Sequence, residues 1–509
     1  MNNADNLQIK NNLAHSLGSK LWHILDKMRG GMDISSSKEL FSAIFLYKYL
    51  SDNFKEDNSD GYQESNSYYI PSDYTFENII NNQRNNLYDA LNLAFERLEH
   101  SNKNKLSGIF SSMDFQFEHI FGDIEGINNQ LFHLMNEFSA INLTVDSQSG
   151  PGLIVDSFQF VLDKFAEAEG KKNGEWTTPP SVRELISNLF RQDLKLPNTI
   201  KVYDPVCGSA GLLLQFARDF LTKHSRAKID LFGQERNLKS VVIAKINLII
   251  NGYDISSIKY GDTLLDPKHI ENNALQKFDI VIGNPPFSMS NWGADNMVYD
   301  TYNRFGWGIP PKSKANYAFI LHMLASTKQT GKIAVVVPHG VLFREGNEGA
   351  IRRRIIEENY LDAVIVLPPN LFYSTSIPVS ILVLDKGRKA KNRNVLFIDA
   401  GNLFVVGKRQ NKLSTQHINL ISDTYGRFKS EDAPLSNERL SCIISPDEII
   451  KNDYNLNISR YLKPEQEFKA ININQLEVEI TQLEKQLEEV NTQISILSKE
   501  LFKNKTPTN

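Results

Sequence analysis

A chain of 509 residues exceeds the size at which one hydrophobic core keeps growing, so we expect about two or three domains. Its 41% apolar and 23% charged residues are the composition of a soluble globular protein, which excludes a disordered chain. The net charge of -4 gives no global basic field, so any contact with nucleic acid must be local or shared with another chain.

The cysteines and the N-terminus indicate the compartment. Only Cys207 and Cys442 are present, whereas a secreted chain of this length more often carries several paired cysteines. The segment from Met1 to Asn12 is polar where a signal peptide needs an apolar core, and no apolar run reaches the roughly 18 residues of a membrane span. We therefore expect a cytoplasmic protein without a membrane segment.

The hydrophobic pattern changes near residue 145. Apolar residues recur at helical spacing from Leu21 to about Ala140, which predicts a helical N-terminal domain over residues 1–145. From Gly150 onward, short β-branched runs alternate with amphipathic stretches, which predicts βαβ units, a largely parallel sheet and a catalytic domain over residues 146–465. The predicted strands are Ile200–Tyr203, Ile229–Gly233, Phe278–Ile282, Ile333–Val337, Ala363–Leu367 and Val379–Leu384. The predicted helices are Ser181–Phe190, Leu212–Lys223, Leu238–Ile250, Tyr317–Ser326 and Glu348–Asn359.

The last segment, residues 466–509, carries eight apolar residues at alternating four- and three-residue steps, here called the heptad seam. They are Leu476, Ile480, Leu483, Leu487, Val490, Ile494, Leu497 and Leu501. This spacing predicts a C-terminal coiled-coil helix that pairs with a partner helix. A single amphipathic helix packed on its own domain is the alternative.

The first chemical signal is the segment from Asp204 to Gly211, with Gly208, Ser209 and Ala210 between them, placed between a predicted strand and a predicted helix. Such a turn lets the backbone approach a ligand closely and points helix N–H groups at an anionic group. It predicts a nucleotide-like cofactor, although a tight structural turn of any α/β protein has the same pattern.

Two acidic residues follow at the ends of later strands. Glu235 ends the next predicted strand, where a doubly wound fold presents a carboxylate to ribose hydroxyls. Asp262 follows a third short strand that ends at Tyr260, where a side chain reaches the adenine end of the same ligand. A surface acid and a turn aspartate are the structural alternatives.

The most specific signal is Asn284-Pro285-Pro286-Phe287, directly after an apolar strand. An amine conjugated to a purine is a poor nucleophile because its lone pair is delocalised into the ring. The Asn284 amide oxygen and the Pro285 carbonyl can hold the hydrogens of such an amine and turn its lone pair toward a methyl donor. The prolines stiffen the turn, and preorganised acceptors supply alignment and electrostatic stabilisation.

Phe287 adds an aromatic face on which a base can stack, a contact worth roughly 1–3 kcal/mol. Because the reacting atom is out of reach inside duplex DNA, this chemistry implies base flipping. The alternative is a proline-rich loop that merely closes a strand.

Together these residues resemble the γ-class amino-methyltransferases and, among them, the modification subunits of Type I restriction systems. Further segments that carry the resemblance are Leu21–Gly30, Tyr47–Asp52, Val337–Phe343, Leu367–Phe372 and Asn455–Tyr461. The resemblance implies a Rossmann-like methyltransferase sheet and transfer of a methyl group from S-adenosyl-L-methionine to adenine N6 in DNA, without a metal.

The resemblance also implies residue roles. The segment that precedes the sheet and contacts the cofactor corresponds to Glu175, Trp176, Thr177, Thr178, Pro179 and Pro180. Ser209, Ala210 and Gly211 correspond to the turn that holds the methionine moiety, and Glu235 to the ribose-binding acid. Ala210 stands where glycine is common and Trp176-Thr177 replaces a pair of aromatics, but we expect cofactor binding to survive because the backbone N–H groups remain.

The assembly implied by the resemblance is two modification subunits with one specificity subunit that reads the DNA sequence. An ATP-dependent restriction subunit can join them. The partners are therefore double-stranded DNA, a specificity subunit and a second copy of this chain. The heptad seam and the near-neutral charge agree with an enzyme that shares its DNA contacts.

Other methyltransferase chemistries fit less well. Cytosine C5 methylation needs a thiolate that typically follows a proline, and neither cysteine does. Cytosine N4 methylation uses the same alignment, but its tetrapeptide more often begins with Ser or Asp than with an asparagine such as Asn284. A protein-glutamine methyltransferase can carry the same tetrapeptide but needs neither the helical domain nor the heptad seam. A scaffold without activity is disfavoured by the intact Asp204, Asn284 and Phe287.

Overall fold

The computed structural model describes residues 3–28, 33–53, 68–82, 86–113, 123–145, 152–170, 177–191, 199–373, 375–390, 392–430, 440–462 and 480–494. Two units make up the chain, Met1–Leu462 and Lys463–Asn509.

The first part of the larger unit is helical. Its helices are α1 (Asn3–Met28), α2 (Ile34–Asp52), α3 (Phe76–Asn82), α4 (Leu87–Ser101), α5 (Lys103–Leu106), α6 (Ile124–Ser139) and α7 (Gly152–Glu169). Helix α2 begins where the Asp33 carboxylate accepts hydrogen bonds from the N–H groups of Ser35 and Ser36, which satisfies orphan donors of the first turn. Phe41 and Phe45 on α2 are fully buried and pack against Phe158 of α7, Phe41 with its ring stacked and Phe45 with its ring tilted.

Helix α7 follows the predicted boundary near residue 145 but packs on the helices that precede it. It lies against α1 and α2, and Phe165 near its end contacts Trp22 of α1 edge to face. The same helix also touches Leu238–Ile250, a helix of the sheet region. It therefore joins the helical layer to the sheet region.

The sheet region contains nine strands in one sheet and a small hairpin. The strands are β1 (Thr199–Asp204), β2 (Lys228–Glu235), β3 (Ile258–Tyr260), β4 (Ile270–Glu271), β5 (Ala274–Leu275), β6 (Phe278–Gly283), β7 (Thr327–Pro338), β8 (Leu361–Val366), β9 (Val379–Asp385), β10 (Val395–Asp399) and β11 (Ser441–Ile444). The helices are α8 (Pro180–Arg191), α9 (Gly211–Lys223), α10 (Leu238–Ile250), α11 (Asn316–Ala325), α12 (Asn347–Glu357), α13 (Thr415–Ser430) and α14 (Pro446–Lys451).

The order across the large sheet is β11-β10-β8-β9-β7-β6-β1-β2-β3. Its pairings are parallel except that β9 runs antiparallel to β7 and β8, and β11 antiparallel to β10. The chain winds from β1 outward to β3 and then crosses to β6 on the other side of β1. In such sheets ligands bind at the carboxyl ends of the strands where the order reverses, here between β1 and β6.

Both faces of the sheet are covered. On β7 the side chains of Ala334 and Val336 join one hydrophobic core, and those of Ile333 and Val335 join another. This alternation follows from the two-residue period of a strand. Strands buried on both faces explain the near-continuous apolar runs in the sequence.

The predicted α/β class and largely parallel sheet are confirmed, and each predicted strand and crossover helix is present. Most differ from the prediction by one or two residues at an end, as β8 does, which is Leu361–Val366 where the pattern predicts Ala363–Leu367. Strand β7 is longer, because it already begins at Thr327 where the pattern predicts Ile333. Strands β10 and β11 and helix α13, which extend the sheet and cover its far end, were not predicted from the sequence.

In the smaller unit, residues 480–494 form a helix. The heptad-seam residues Ile480, Leu483, Leu487, Val490 and Ile494 are between 51% and 64% exposed. Leu476, Leu497 and Leu501 lie outside the described residues.

In the part of the chain that the structure describes, no helix has the length and apolar character needed to span a membrane.

Candidate functional site

A cavity of about 450 Å³ lies at the carboxyl ends of β1, β2 and β6. This volume is within the roughly 300–1,000 Å³ typical of small-molecule sites. Predicted site residues that line it are Thr177, Thr178, Asp204, Gly208, Ser209, Gly211, Glu235, Asp262, Asn284 and Pro286. The fold therefore brings predicted residues from five separate segments to the strand-order reversal between β1 and β6.

The glycine turn after β1 is held in a left-handed conformation. Gly208 has φ +52° and Ala210 has φ +62°, and the Ala210 N–H donates to the Cys207 carbonyl at 2.8 Å. A Cβ added at Gly208 would meet no atom within 4 Å, because it would point into open space. The backbone at Gly208 is thus accessible to a ligand, as a tight cofactor turn requires.

Ala210 itself is fully buried and does not line the cavity. An alanine in the left-handed region carries strain of about 1–2 kcal/mol that glycine avoids. Its methyl group packs into the core under α9 rather than into the cavity. The alanine therefore leaves the ligand-facing surface of the turn unchanged.

Glu235 ties the end of β2 to this turn. Its carboxylate accepts the Gly208 N–H at 3.1 Å and the Asn237 N–H at 2.7 Å. Asn237 in turn caps α10 by accepting from the N–H groups of Lys239 and Ser240. The acid is therefore fixed in place at the cavity wall.

Asp204, at the end of β1, is 2% exposed and accepts the Val206 N–H at 2.9 Å. Burial raises its pKa to about 8, the hydrogen bond from Val206 opposes the rise, and the Glu235 carboxylate adds to it. The pKa of the neighbouring Cys207 thiol is raised well above its usual value, mainly by burial. A protonated thiol is a weak nucleophile, which further disfavours cytosine C5 chemistry.

Asp262 forms a turn and also lies at the cavity wall. Its carboxylate accepts the N–H groups of Leu264 at 2.9 Å and Leu265 at 3.1 Å, as a turn aspartate does. It also lines the cavity and lies 3.6 Å from the Arg236 guanidinium.

Only part of the tetrapeptide after β6 lines the cavity. Asn284 is 6% exposed and lines it together with Pro286, whereas Pro285 and Phe287 do not line it. The Phe287 ring is 3% exposed and packs edge to face on Phe372, with ring centroids 5.5 Å apart.

The segment before the sheet reaches the cavity through its threonines. Thr177 and Thr178 line it, and the Thr178 carbonyl accepts from Arg183 at 3.1 Å. Pro179 precedes α8 and Pro180 opens it, and neither lines the cavity. Glu175 and Trp176 lie outside the described residues.

Several lining residues were missed by the sequence analysis. They include Lys38, Arg183, Arg236, Asn237, Thr263, Met289 and Phe319. An asparagine just before a helical pattern is a cap signal, so Asn237 was detectable. Lys38 lies on α2, more than a hundred residues before the cavity turn, and gives no local signal.

Comparisons with known proteins agree with this geometry. A family model described as N-6 DNA Methylase matches residues 151–470, and one described as HsdM N-terminal domain matches residues 17–138. The chain belongs to the N-6 DNA methylase family. It is therefore an S-adenosylmethionine-dependent methyltransferase of the class that modifies adenine N6 in DNA, which confirms the predicted enzyme class and methyl donor.

Relatives in this family include the Type I restriction enzyme MpnII methylase subunit of Mycoplasma pneumoniae, 29% identical over 93% of this chain and 94% of that protein. The MjaVII methylase subunit of Methanocaldococcus jannaschii is 30% identical over 88% of this chain and 78% of that protein. The methyltransferase subunit of a type I restriction-modification system from Streptococcus thermophilus has a crystal structure with a TM-score of 0.77 and 31% identity, covering 88% and 99% of the two chains. The predicted membership in the Type I modification subunits is confirmed.

Asp204 allows a prediction about stability and pH. In the folded protein the pKa of Asp204 is about 8, above its ordinary value of 3.8. The contribution of this group to the free energy of unfolding is therefore fully present below pH 3.8 and is lost as the pH rises through about 8. Asp204→Asn keeps an acceptor for the Val206 N–H and removes the ionisation. As the pH rises between these two pKa values, we expect the melting temperature of the parent protein to fall relative to that of Asp204→Asn. At acid pH the two melting temperatures should converge. Parallel pH profiles of thermal unfolding would contradict the assignment.

Proposed function

We propose that the cavity holds S-adenosyl-L-methionine next to an adenine of double-stranded DNA, and that Asn284 aligns the adenine amine for methyl transfer. The observation that carries the proposal is that Asn284 lines the same cavity as Gly208 and Glu235. Side chains suited to binding the adenine and side chains suited to binding the methyl donor thus line the same cavity.

On the donor side, Glu235 binds the ribose hydroxyls and Asp262 lies at the adenine end. A carboxylate has about four lone-pair sites, so Glu235 retains acceptor capacity beyond the N–H groups of Gly208 and Asn237. The backbone N–H groups of Ser209 and Gly211, at the start of α9, face the methionine moiety. The open space at Gly208 supports this fit.

On the acceptor side, the Asn284 side chain and the Pro285 carbonyl accept the hydrogens of the adenine amine. This leaves the nitrogen lone pair directed at the donor, whose sulfonium supplies the methyl group. Because Asn284 is almost completely buried, its hydrogen bond acts where water is largely excluded, and such interactions are stronger there than in solvent.

The target adenine must leave the duplex to reach Asn284. Phe287 is the proposed stacking partner for the extruded base. Its ring is held by Phe372, and its carbonyl accepts from the Asn316 amide at 3.4 Å. Stacking therefore requires the base to enter beside the Phe287–Phe372 pair. In this proposal the two rings form one wall of the base site.

Asn284→Ala tests the alignment directly. Removing a preorganised partner of the transition state costs about 2–4 kcal/mol, so we expect methylation of DNA to fall by a factor of roughly 30 to 1,000. Binding of S-adenosylhomocysteine, measured by calorimetry, should stay within about twofold of the parent protein because Glu235 and the glycine turn are intact.

Asn284→Asp is the matched variant for this test, since it keeps an acceptor oxygen at the same position. We expect it to retain more activity than Asn284→Ala. Near-normal turnover of the alanine variant would refute the alignment role.

Glu235→Ala tests the donor site. A hydrogen bond to a charged group contributes about 1.5–3 kcal/mol, so the dissociation constant for S-adenosylhomocysteine should rise roughly tenfold or more. Asp230→Ala is the control, because Asp230 lies on the same strand and pairs with Lys228 outside the cavity. Equal affinities of the two variants would remove Glu235 from the site.

For the assembly, we propose two copies of this chain with one DNA-reading specificity subunit, joined in restriction by an ATP-dependent subunit, in the cytoplasm. The division into a helical domain (1–145), a methyltransferase domain (146–465) and a coiled-coil helix (466–509) gives each part a task. The exposed heptad seam on residues 480–494 supports a partner helix for the last part.

Deleting Gln475 to Asn509 should abolish or strongly weaken assembly with a specificity subunit, while S-adenosylhomocysteine binding is unchanged. A finer pair of variants separates the seam from the segment as a whole. Leu483→Lys with Leu487→Lys places two charges on the seam, and Thr481→Lys with Thr492→Lys places two on the opposite face. If the first pair assembles as well as the second in size-exclusion chromatography, the seam does not mediate assembly.

A further inference from the structure

The donor cavity is not walled by the sheet region alone. Lys38, on α2 of the N-terminal helices, is among its lining residues and is 9% exposed. Helix α2 packs against α10, and Glu39 forms an ion pair with Lys239 in the first turn of α10. The helical layer therefore places a buried cation in the wall of the cavity.

The ion pairs around the cavity distinguish Lys38 from the other positively charged residues that line it. Among the described lining residues, Lys38, Arg183 and Arg236 carry positive charge. The Arg183 guanidinium forms a two-pronged pair with Asp163 at 2.8 and 2.9 Å and also donates to the Thr178 carbonyl. Arg236 is mainly exposed and faces Asp262. The Lys38 ammonium lies 3.5 Å from the buried Glu169 carboxylate, a looser ion pair than that of Arg183.

We propose that Lys38 binds the carboxylate of the methionine moiety of the methyl donor, so that the N-terminal helices complete the donor site. The inference rests on the cavity being the donor site, as proposed above. The carboxylate is the only anionic group of the donor, whose ammonium and sulfonium are both positive and would be repelled by Lys38. A buried carboxylate needs an opposite charge or several hydrogen bonds, and an ammonium with three N–H donors supplies both.

Glu169 gives Lys38 its position and also provides the control. Removing Lys38 alone would leave the buried Glu169 carboxylate uncompensated, so Lys38 is best changed in a background in which Glu169 is already neutral. Glu169→Gln is that background, because Glu169 does not line the cavity. The test variant is Lys38→Gln with Glu169→Gln, in which two amides replace the pair.

The probes are S-adenosylhomocysteine and its decarboxylated analogue, which keeps the amine, the ribose and the adenine. Binding of each to the full-length protein is measured by calorimetry. We expect the double variant to bind S-adenosylhomocysteine roughly 10- to 100-fold more weakly than Glu169→Gln does, the range for a hydrogen bond to a charged group. Binding of the decarboxylated analogue should differ by less than about twofold between the two.

Two further variants test whether a loss of affinity comes from a change in folding and not from the loss of the Lys38 charge. Lys38→Arg keeps the positive charge and should keep the preference for the carboxylate-bearing ligand. Lys48→Gln with Asp52→Asn replaces another buried ion pair of α2, one that lies away from the cavity, by two amides and should also keep this preference.

An equal loss of affinity for both ligands in the double variant, or no loss at all, overturns the role of Lys38 and leaves the donor site standing. Failure of the parent protein to bind S-adenosylhomocysteine overturns the donor site itself and the inference with it. The two failures are therefore distinguishable.

Discussion

The hydrogen bond from the Gly208 N–H to the Glu235 carboxylate is the constraint on which the cavity depends. It joins the turn after β1, in which Gly208 has a positive φ, to the end of β2. Glu235 also holds the Asn237 N–H, which fixes the start of α10. One carboxylate thus holds both the turn after β1 and the start of α10 at the cavity wall.

The acceptor corner is supported from a different part of the fold. The Phe287 carbonyl accepts from Asn316, the first residue of α11, whose oxygen accepts from Arg344 at 3.0 Å. Arg344 is itself held by both oxygens of the buried Glu348 on α12. The rigidity of the tetrapeptide therefore does not come from its prolines alone. A chain of polar contacts, buried except at the partly exposed Arg344, connects two helices to it, and such networks are rigid only when each member is satisfied.

The sequence predicted those parts of the site that follow from short segments. A strand, a tight turn and a helix are local patterns, so Gly208, Glu235 and Asn284 were identified from their neighbours alone, and the parallel order then brings strand ends together. Lys38 was not predictable because its place depends on how α2 packs against α10, a contact between distant segments. The burial of Phe287 against Phe372 was missed for the same reason. Strands β10 and β11 are short and flanked by polar loops, so their periodicity is weak until the sheet provides a neighbour.

A cavity lined by both the N-terminal helices and the sheet region couples these two layers energetically. If α2 contributes a ligand to the donor site, then binding of the donor stabilises the docking of α2 on α10, and by reciprocity any contact that shifts α2 changes donor affinity by the same factor. Helix α7 strengthens this link, because it packs against α1, α2 and α10 and also carries Asp163, which holds Arg183 at the cavity. Under this proposal the N-terminal helices are part of the donor site. A partner that shifts them would change, through the position of Lys38, how tightly the methyl donor is held.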